Sequence, residues 1–307
     1  TRIVRSGIES DSQHHAVIPP IYLSSNFAFE EFGKAGKYDY TRSGNPTRDL
    51  LGEALAELEQ GHGAIVTATG MAAVTLVLQL LDPSDLILAP HDCYGGTYRL
   101  LSQLKLRGIV NGEFHNQQDD AFIDTILDSK PRLVWIETPS NPLLRITDIA
   151  RIAEAAHAVG AIVVVDNTFL SPVWQQPLEL GADIVVHSTT KYINGHSDVV
   201  GGAVVAKTAE LYERLKYWAN CLGLTASPFD SYLTLRGLRT LKARLNLHLA
   251  NTTAVVEVLN NHAAVRKTYY PGLASHSGHA LAARQQSGFG AMLSFELQDT
   301  EAVKVFL

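Results

Sequence analysis

His187-Ser188-Thr189-Thr190-Lys191-Tyr192-Ile193-Asn194-Gly195-His196-Ser197-Asp198 sets a lysine just beyond the apolar run Asp183-Ile184-Val185-Val186, with hydroxyl side chains before it and a glycine after it. Upstream, a second apolar run, Ala161-Ile162-Val163-Val164-Val165, ends in Asp166-Asn167-Thr168. Both runs have the continuous apolar character of strands buried on two faces. A lysine is ordinarily a surface residue. One that follows a buried strand, with hydroxyls beside it, is placed to bond a carbonyl covalently while an anion binds next to it. A partly desolvated acid on the neighbouring run suits a protonated ring nitrogen. Two unit charges about 4 Å apart gain roughly 4 kcal/mol at an effective dielectric near 20, or about three pH units of proton affinity.

Outward from these runs the pattern alternates. Apolar stretches at 64–67, 86–89, 133–137, 161–165, 182–187 and 203–206 predict strands, and segments 47–59, 70–81, 98–105, 146–159 and 209–220 predict helices. Short buried strands alternating with helices predict an α/β fold, a mostly parallel central sheet with helices on both faces. Residues 230–254 read as one long helix bent near Gly237, and 292–297 as a strand. Residues 1–45, rich in turn formers, read as an extended arm. The expected division is then the arm, a large domain over 46–245, and the start of a smaller C-terminal α+β domain over 246–307, incomplete where the chain stops at Leu307 in mid-helix.

Of 307 residues, 46% are apolar and 18% charged, which fits a globular protein, and the net charge of −6 gives no electrostatic reason to expect nucleic acid or an anionic membrane as partner. No apolar run approaches the roughly 20 residues that span a bilayer, and the first residues lack the apolar stretch of a secretory signal. Cys93 and Cys221 are far apart in sequence and read as reduced thiols of a cytoplasmic protein. The histidines, His187 and His196 included, show no zinc spacing and are expected in surface or hydrogen-bonding roles; no metal is expected.

Further constellations carry chemistry. Thr69-Gly70-Met71 follows a predicted strand and opens a helix, whose N–H groups and dipole favour a phosphate. Tyr94, beside Gly95-Gly96, is placed to stack on a planar ring. In Tyr38-Asp39-Tyr40-Thr41-Arg42-Ser43, Arg42 can bind phosphate through two hydrogen bonds and, with Tyr40, complete the seat from a neighbouring subunit. Plainer readings exist for each: a simple turn at Gly70, an N-cap or structural acid at Asp166, a rim aromatic at Tyr94, a solvated turn at 38–48. Together, an amine, an acid, a phosphate seat and a stacking ring are what pyridoxal 5′-phosphate requires. A dinucleotide-binding dehydrogenase shares the alternation, but no Gly-x-Gly-x-x-Gly turn follows the first strand. A non-enzymatic pyridoxal-binding regulator finds no basic stripe in support.

Ser43-Gly44-Asn45-Pro46-Thr47-Arg48, Thr69-Gly70-Met71, His91-Asp92-Cys93-Tyr94-Gly95-Gly96, Pro139-Ser140-Asn141-Pro142-Leu143, Val165-Asp166-Asn167-Thr168-Phe169 and the Lys191 stretch occur in one order. In this the chain resembles the Cys/Met-metabolism family of pyridoxal-phosphate enzymes, from about Arg5 to its last residue. The resemblance implies a fold-type I, aminotransferase-like PLP-dependent transferase, a homotetramer built as a dimer of dimers with active sites shared between subunits. It implies that Lys191 bonds the cofactor, Asp166 pairs with its ring nitrogen and Tyr94 stacks on the ring. Gly70, Met71, Ser188 and Thr190 would bind the phosphate with Tyr40 and Arg42 of the neighbour. Asn141 would lie near the phenolic oxygen and the substrate carboxylate, and Arg99, Asp39 and Tyr40 near the substrate. The family's carboxylate-binding arginine is expected beyond Leu307, and Arg284 is not assigned that role. The expected reaction is γ-replacement on O-succinyl- or O-acetyl-L-homoserine by L-cysteine, giving L-cystathionine, with γ-elimination and sulfhydrylation as rivals.

Overall fold

The computed structural model describes residues 2–307. Among them, β1 Gly63–Thr67, β2 Leu86–Pro90, β3 Asn111–His115, β4 Leu133–Glu137, β5 Ile162–Asp166, β6 Ile184–His187 and β7 Gly202–Ala206 form the main sheet, in the order β1-β7-β6-β5-β4-β2-β3. Strands β6, β5, β4, β2 and β3 run parallel, as the alternating pattern predicts. The exception is β7, antiparallel to both β6 and β1. This reversal matters for the site. β6 delivers the chain to the sheet's C-terminal edge at His187, residues 188–201 stay there, and β7 departs from the same edge at Gly202. The Lys191 loop therefore lies where β1, β4 and β5 also end.

Side chains alternate across the central strands, so each face is apolar. Val134, Ile136, Val163, Val165, Val185 and Val205 pack with Leu51 and Leu55 of the helix Pro46–Glu59 and with Ile152 of the helix Ile149–Ala158. Leu133, Trp135, Val164, Val186 and Val204 pack with Val74 and Val77 of the helix Gly70–Leu78, Leu101 of Gly95–Leu106 and Leu215 of Ala209–Leu222. Val163, Val164 and Val165 are fully buried, each contributing roughly 1.5–3 kcal/mol over an exposed position. By the same alternation Glu137 and Asp166 fall on the second face, beside the starts of the helices at Gly70 and Gly95.

Several elements differ from the sequence reading or were absent from it. β3 (Asn-Gly-Glu-Phe-His) has almost no apolar content, because it is an edge strand paired on one side to β2. The helix Ala121–Ser129 buries only Phe122 and Ile126 and likewise gave no apolar run. The long helix expected over 230–254 is two helices, Pro228–Leu238 and Leu241–Asn260. The Gly237 carbonyl leaves the helical ladder to accept from Thr240 N (3.2 Å), Thr240 Oγ1 (3.1 Å) and Arg244 Nη2 (2.8 Å). The helix expected over 70–81 ends at Leu78. Beyond the main sheet, β8 Val265–Tyr269 and β9 Ser294–Leu297 pair antiparallel in a separate sheet. Residues 2–45 carry little regular structure and leave Val17, Leu23, Phe29 and Phe32 exposed. Among the described residues no helix is long and apolar enough to cross a membrane.

Candidate active site

Asp166 ends β5, in register with Glu137 of β4 and Val186 of β6. Its Oδ1 accepts from Thr168 N at 3.0 Å, and the Thr168 hydroxyl accepts from Ser188 N at 2.9 Å, tying the exits of β5 and β6 together. Burial pushes the Asp166 carboxyl above its ordinary value, against the two Thr168 hydrogen bonds and the nearby His187, which lower it. Glu137 is pushed up to about 8, first by burial and then by the charge of Asp166. Its Oε2 accepts from Tyr94 N at 2.7 Å. Two acids thus stand side by side, and among the described residues no lysine or arginine pairs with either. Burial, with Glu137 next, also drives the Cys93 thiol up to about 12.

Lys191 sits on the loop from β6, which is closed by Gly195 N donating to Lys191 O (2.9 Å) and Asn194 N to Thr189 O (2.9 Å). Its side chain is exposed and lines a cleft of ≈ 550 Å³ with Thr190, Tyr192, Asp198, Arg244 and His248. Thr190 Oγ1 exchanges hydrogen bonds with the backbone of Gly201, donating to its carbonyl and accepting from its N–H.

At Gly70, Thr69 caps the helix by accepting from Ala72 N (2.9 Å), and a Cβ on Gly70 would lie 2.9 Å from Ser188 Cβ. The helix start and the Ser188 exit are therefore pressed together with no room for a methyl group. Tyr94 precedes the helix Gly95–Leu106 and is half-exposed; a Cβ on Gly96 would meet both its ring (2.5 Å) and Met71 Sδ (2.8 Å). Gly70, Met71, Tyr94, Asp166, Ser188 and Lys191 thus belong to one edge of one sheet. Arg99, in the helix that follows Tyr94, and Asn141, on the turn after β4, are exposed. Asp39, Tyr40 and Arg42 are not brought to this group within the chain. Arg42 Nη1 donates to Asn220 O (2.8 Å) and Oδ1 (2.9 Å), its guanidinium lies 5.4 Å from the Tyr40 ring centroid, and with Asp39 it lines a separate cleft of ≈ 450 Å³.

Sequence reasoning missed Glu137, although an acid closing a buried apolar strand is the signal that marked Asp166. It also missed Glu59, whose Oε1 accepts from His187 Nε2 (2.6 Å) and Asn167 Nδ2 (2.8 Å) in full burial behind the site. Their separation in sequence left no local signal.

A mostly parallel sheet with a lysine, an acid and a helix start at its C-terminal edge defines a fold-type I pyridoxal-phosphate enzyme. The chain belongs to the family of Cys/Met metabolism PLP-dependent enzymes, whose pattern it matches over residues 1–307. It is 53% identical over 309 residues to the cystathionine gamma-synthase of Escherichia coli (strain K12), covering 100% of this chain and 80% of that protein. The crystal structure of cystathionine gamma synthase from Xanthomonas oryzae pv. oryzae in complex with cystathionine superposes with a TM-score of 0.98 at 60% identity, over 100% of this chain and 80% of that one. Cystathionine gamma-lyase from Lactobacillus plantarum, solved with L-serine, gives 0.93 at 40% identity, over 97% and 78%. The residues present fit pyridoxal 5′-phosphate. Asp166, buried at the strand end with no lysine or arginine paired to it among the described residues, suits a cation such as a protonated pyridine, and the crowded Gly70–Ser188 contact sets a hydroxyl beside a helix start.

Proposed function

We propose that the chain catalyses γ-replacement of the acyloxy group of an O-acyl-L-homoserine by L-cysteine, giving L-cystathionine, the activity of a cystathionine γ-synthase. The observation that carries the choice of reaction is its 60% identity to a synthase solved with cystathionine, against 40% to a γ-lyase. When bound, the cofactor supplies a covalent handle for the substrate amine and a sink for the electrons left by deprotonation. Lys191 Nζ would hold the cofactor and would move protons at the substrate's Cα and Cβ. Asp166 Oδ holds the proton on the ring nitrogen. The N–H groups of Gly70 and Met71 and the hydroxyls of Ser188 and Thr190 hold the phosphate, and Tyr94 covers the ring. Asn141 and Arg99 orient the substrate.

Asp39, Tyr40 and Arg42 of the partner subunit complete the site in a homotetramer, through an arm formed by residues 1–45. Exposed Val17, Leu23, Phe29 and Phe32 support an arm that is covered on assembly. In this reading 46–245 form the cofactor domain, 246–307 belong to a second domain, and the enzyme works in the cytoplasm.

The test is a paired assay of the holoenzyme. O-succinyl- or O-acetyl-L-homoserine with L-cysteine is expected to yield cystathionine faster than cystathionine alone yields 2-oxobutanoate. The reverse order would make the chain a γ-lyase, and sulfide outcompeting cysteine would make it a sulfhydrylase.

A further inference from the structure

We propose that Arg244 is a positioning residue for Lys191: its guanidinium grips the carbonyls of the loop that carries the lysine and fixes the direction from which the amine enters the site. The inference rests on the reading of Lys191 as the cofactor-bonding residue, and goes beyond it.

Arg244 lies in the first turn of the helix Leu241–Asn260. Nη1 donates to Tyr192 O at 2.7 Å, and Nη2 to Gly237 O at 2.8 Å and Ile193 O at 3.4 Å. Nε donates to Thr240 Oγ1 at 3.0 Å. One rigid fork therefore joins three points: the two residues after Lys191, the end of the helix Pro228–Leu238, and the start of the next helix. A lysine, with a single ammonium on a flexible stem, cannot make this set of bonds. Among the described residues no carboxylate pairs with Arg244, so the charge is satisfied by carbonyl and hydroxyl oxygens, and burial lowers its pKa. Four hydrogen bonds from one half-buried guanidinium fix the relative positions of these three segments.

Two independent observations show how closely the loop is held. Gly195 has φ +73°, and a Cβ there would fall 2.1 Å from Arg244 Nη1. A Cβ on Gly237 would fall 2.2 Å from Asn194 O. The Lys191–Gly195 turn is thus wrapped on the guanidinium and pressed on the helix break, with a methyl group excluded at both contacts. Lys191 itself must stay mobile, because its amine serves more than one carbon of the substrate. Only its backbone can be fixed, and Arg244 supplies that fixed base. The same fork links the lysine to the helix that leads out of the large sheet, so a shift of that helix moves the base of Lys191.

The test uses Arg244→Ala, Arg244→Lys and Gly195→Ala. Two readouts are independent of substrate: the rate at which cofactor-free protein bonds pyridoxal phosphate, and the pH midpoint of the bound cofactor's visible absorbance. For Arg244→Ala the bonding rate and kcat are expected to fall about 100-fold, the scale of a displacement near 1 Å, with KM changed less than about threefold. The pH midpoint should move, borohydride should still trap the cofactor on residue 191, and added guanidinium ion should restore at least about tenfold of the rate, since it refills the fork's place. Arg244→Lys should stay impaired. Gly195→Ala, which keeps every charge, should impair bonding in the same way and covers the case in which the alanine variant does not fold. Wild-type rates in Gly195→Ala, or an Arg244→Ala variant with an unmoved midpoint and no response to guanidinium, overturn the proposal. An unmodified residue 191 in trapped wild-type protein would instead remove the reading beneath it.

Discussion

Replacing Glu137 by glutamine removes one ionisable group from the end of β4 while keeping an oxygen that can accept the Tyr94 N–H. The structure sets the size of the effect. Glu137 titrates near 4.5 in an unfolded chain and near 8 in the fold, because burial and the neighbouring Asp166 disfavour its charge. Below about 4.5 both states are protonated, and the folded protein carries no penalty. Between 4.5 and 8 the unfolded chain loses a proton that the fold retains, so stability falls as pH rises. The slope is about 1.4 kcal/mol per pH unit, giving a loss of up to roughly 5 kcal/mol that is complete once pH passes the folded value. Glu137 and Asp166 titrate as a pair, which makes that figure an upper bound. Urea unfolding of the cofactor-free protein from about pH 5 to pH 9, wild type against Glu137→Gln, reads the difference directly. The wild type should match the variant at the acid end and fall behind it by several kcal/mol at the alkaline end. A difference that stays flat with pH would refute the assignment of the retained proton to Glu137.

Lys191→Ala is expected to lose the yellow absorbance of the bonded cofactor and turnover together; a yellow, active variant contradicts its role. Asp166→Asn should keep its circular dichroism and lose most turnover, since an amide cannot stabilise the ring proton by charge, and near-normal turnover would contradict that role. Gly70→Ala should weaken cofactor affinity about tenfold in titrations of the cofactor-free protein, because a Cβ 2.9 Å from Ser188 Cβ forces the seat apart at a cost of roughly 1–3 kcal/mol. Asn45→Ala should destabilise the protein by about 1 kcal/mol in chemical unfolding, having lost the acceptor for Thr47 N and Arg48 N that caps the helix Pro46–Glu59.

Much of the fold is legible in local pattern. Ala161-Ile162-Val163-Val164-Val165 and its counterparts announce strands buried on both faces, and Thr69-Gly70 announces a helix start. The same pattern marks Asp166 and Lys191, because an acid or an amine at the mouth of a buried strand is out of place unless something binds it. β3 escaped because an edge strand needs little apolar content. The bend near Gly237 was legible, but not that the chain breaks there into two helices, where the guanidinium that binds the Gly237 carbonyl also binds those of Tyr192 and Ile193 far upstream.

Hydrophobic period and helix capping act over a few residues, so the chain alone marks the buried strands at the centre of the sheet and the side chains that packing does not explain. Long-range packing is what reverses β7 and keeps Lys191 at the edge where Asp166 ends, sets Glu137 beside Asp166, and stands Glu59 behind His187. It also placed Arg42 on Asn220, in a cleft separate from Lys191. Strand order and register set these pairings, and they arise from the packing of the whole sheet, which no short window of residues encodes.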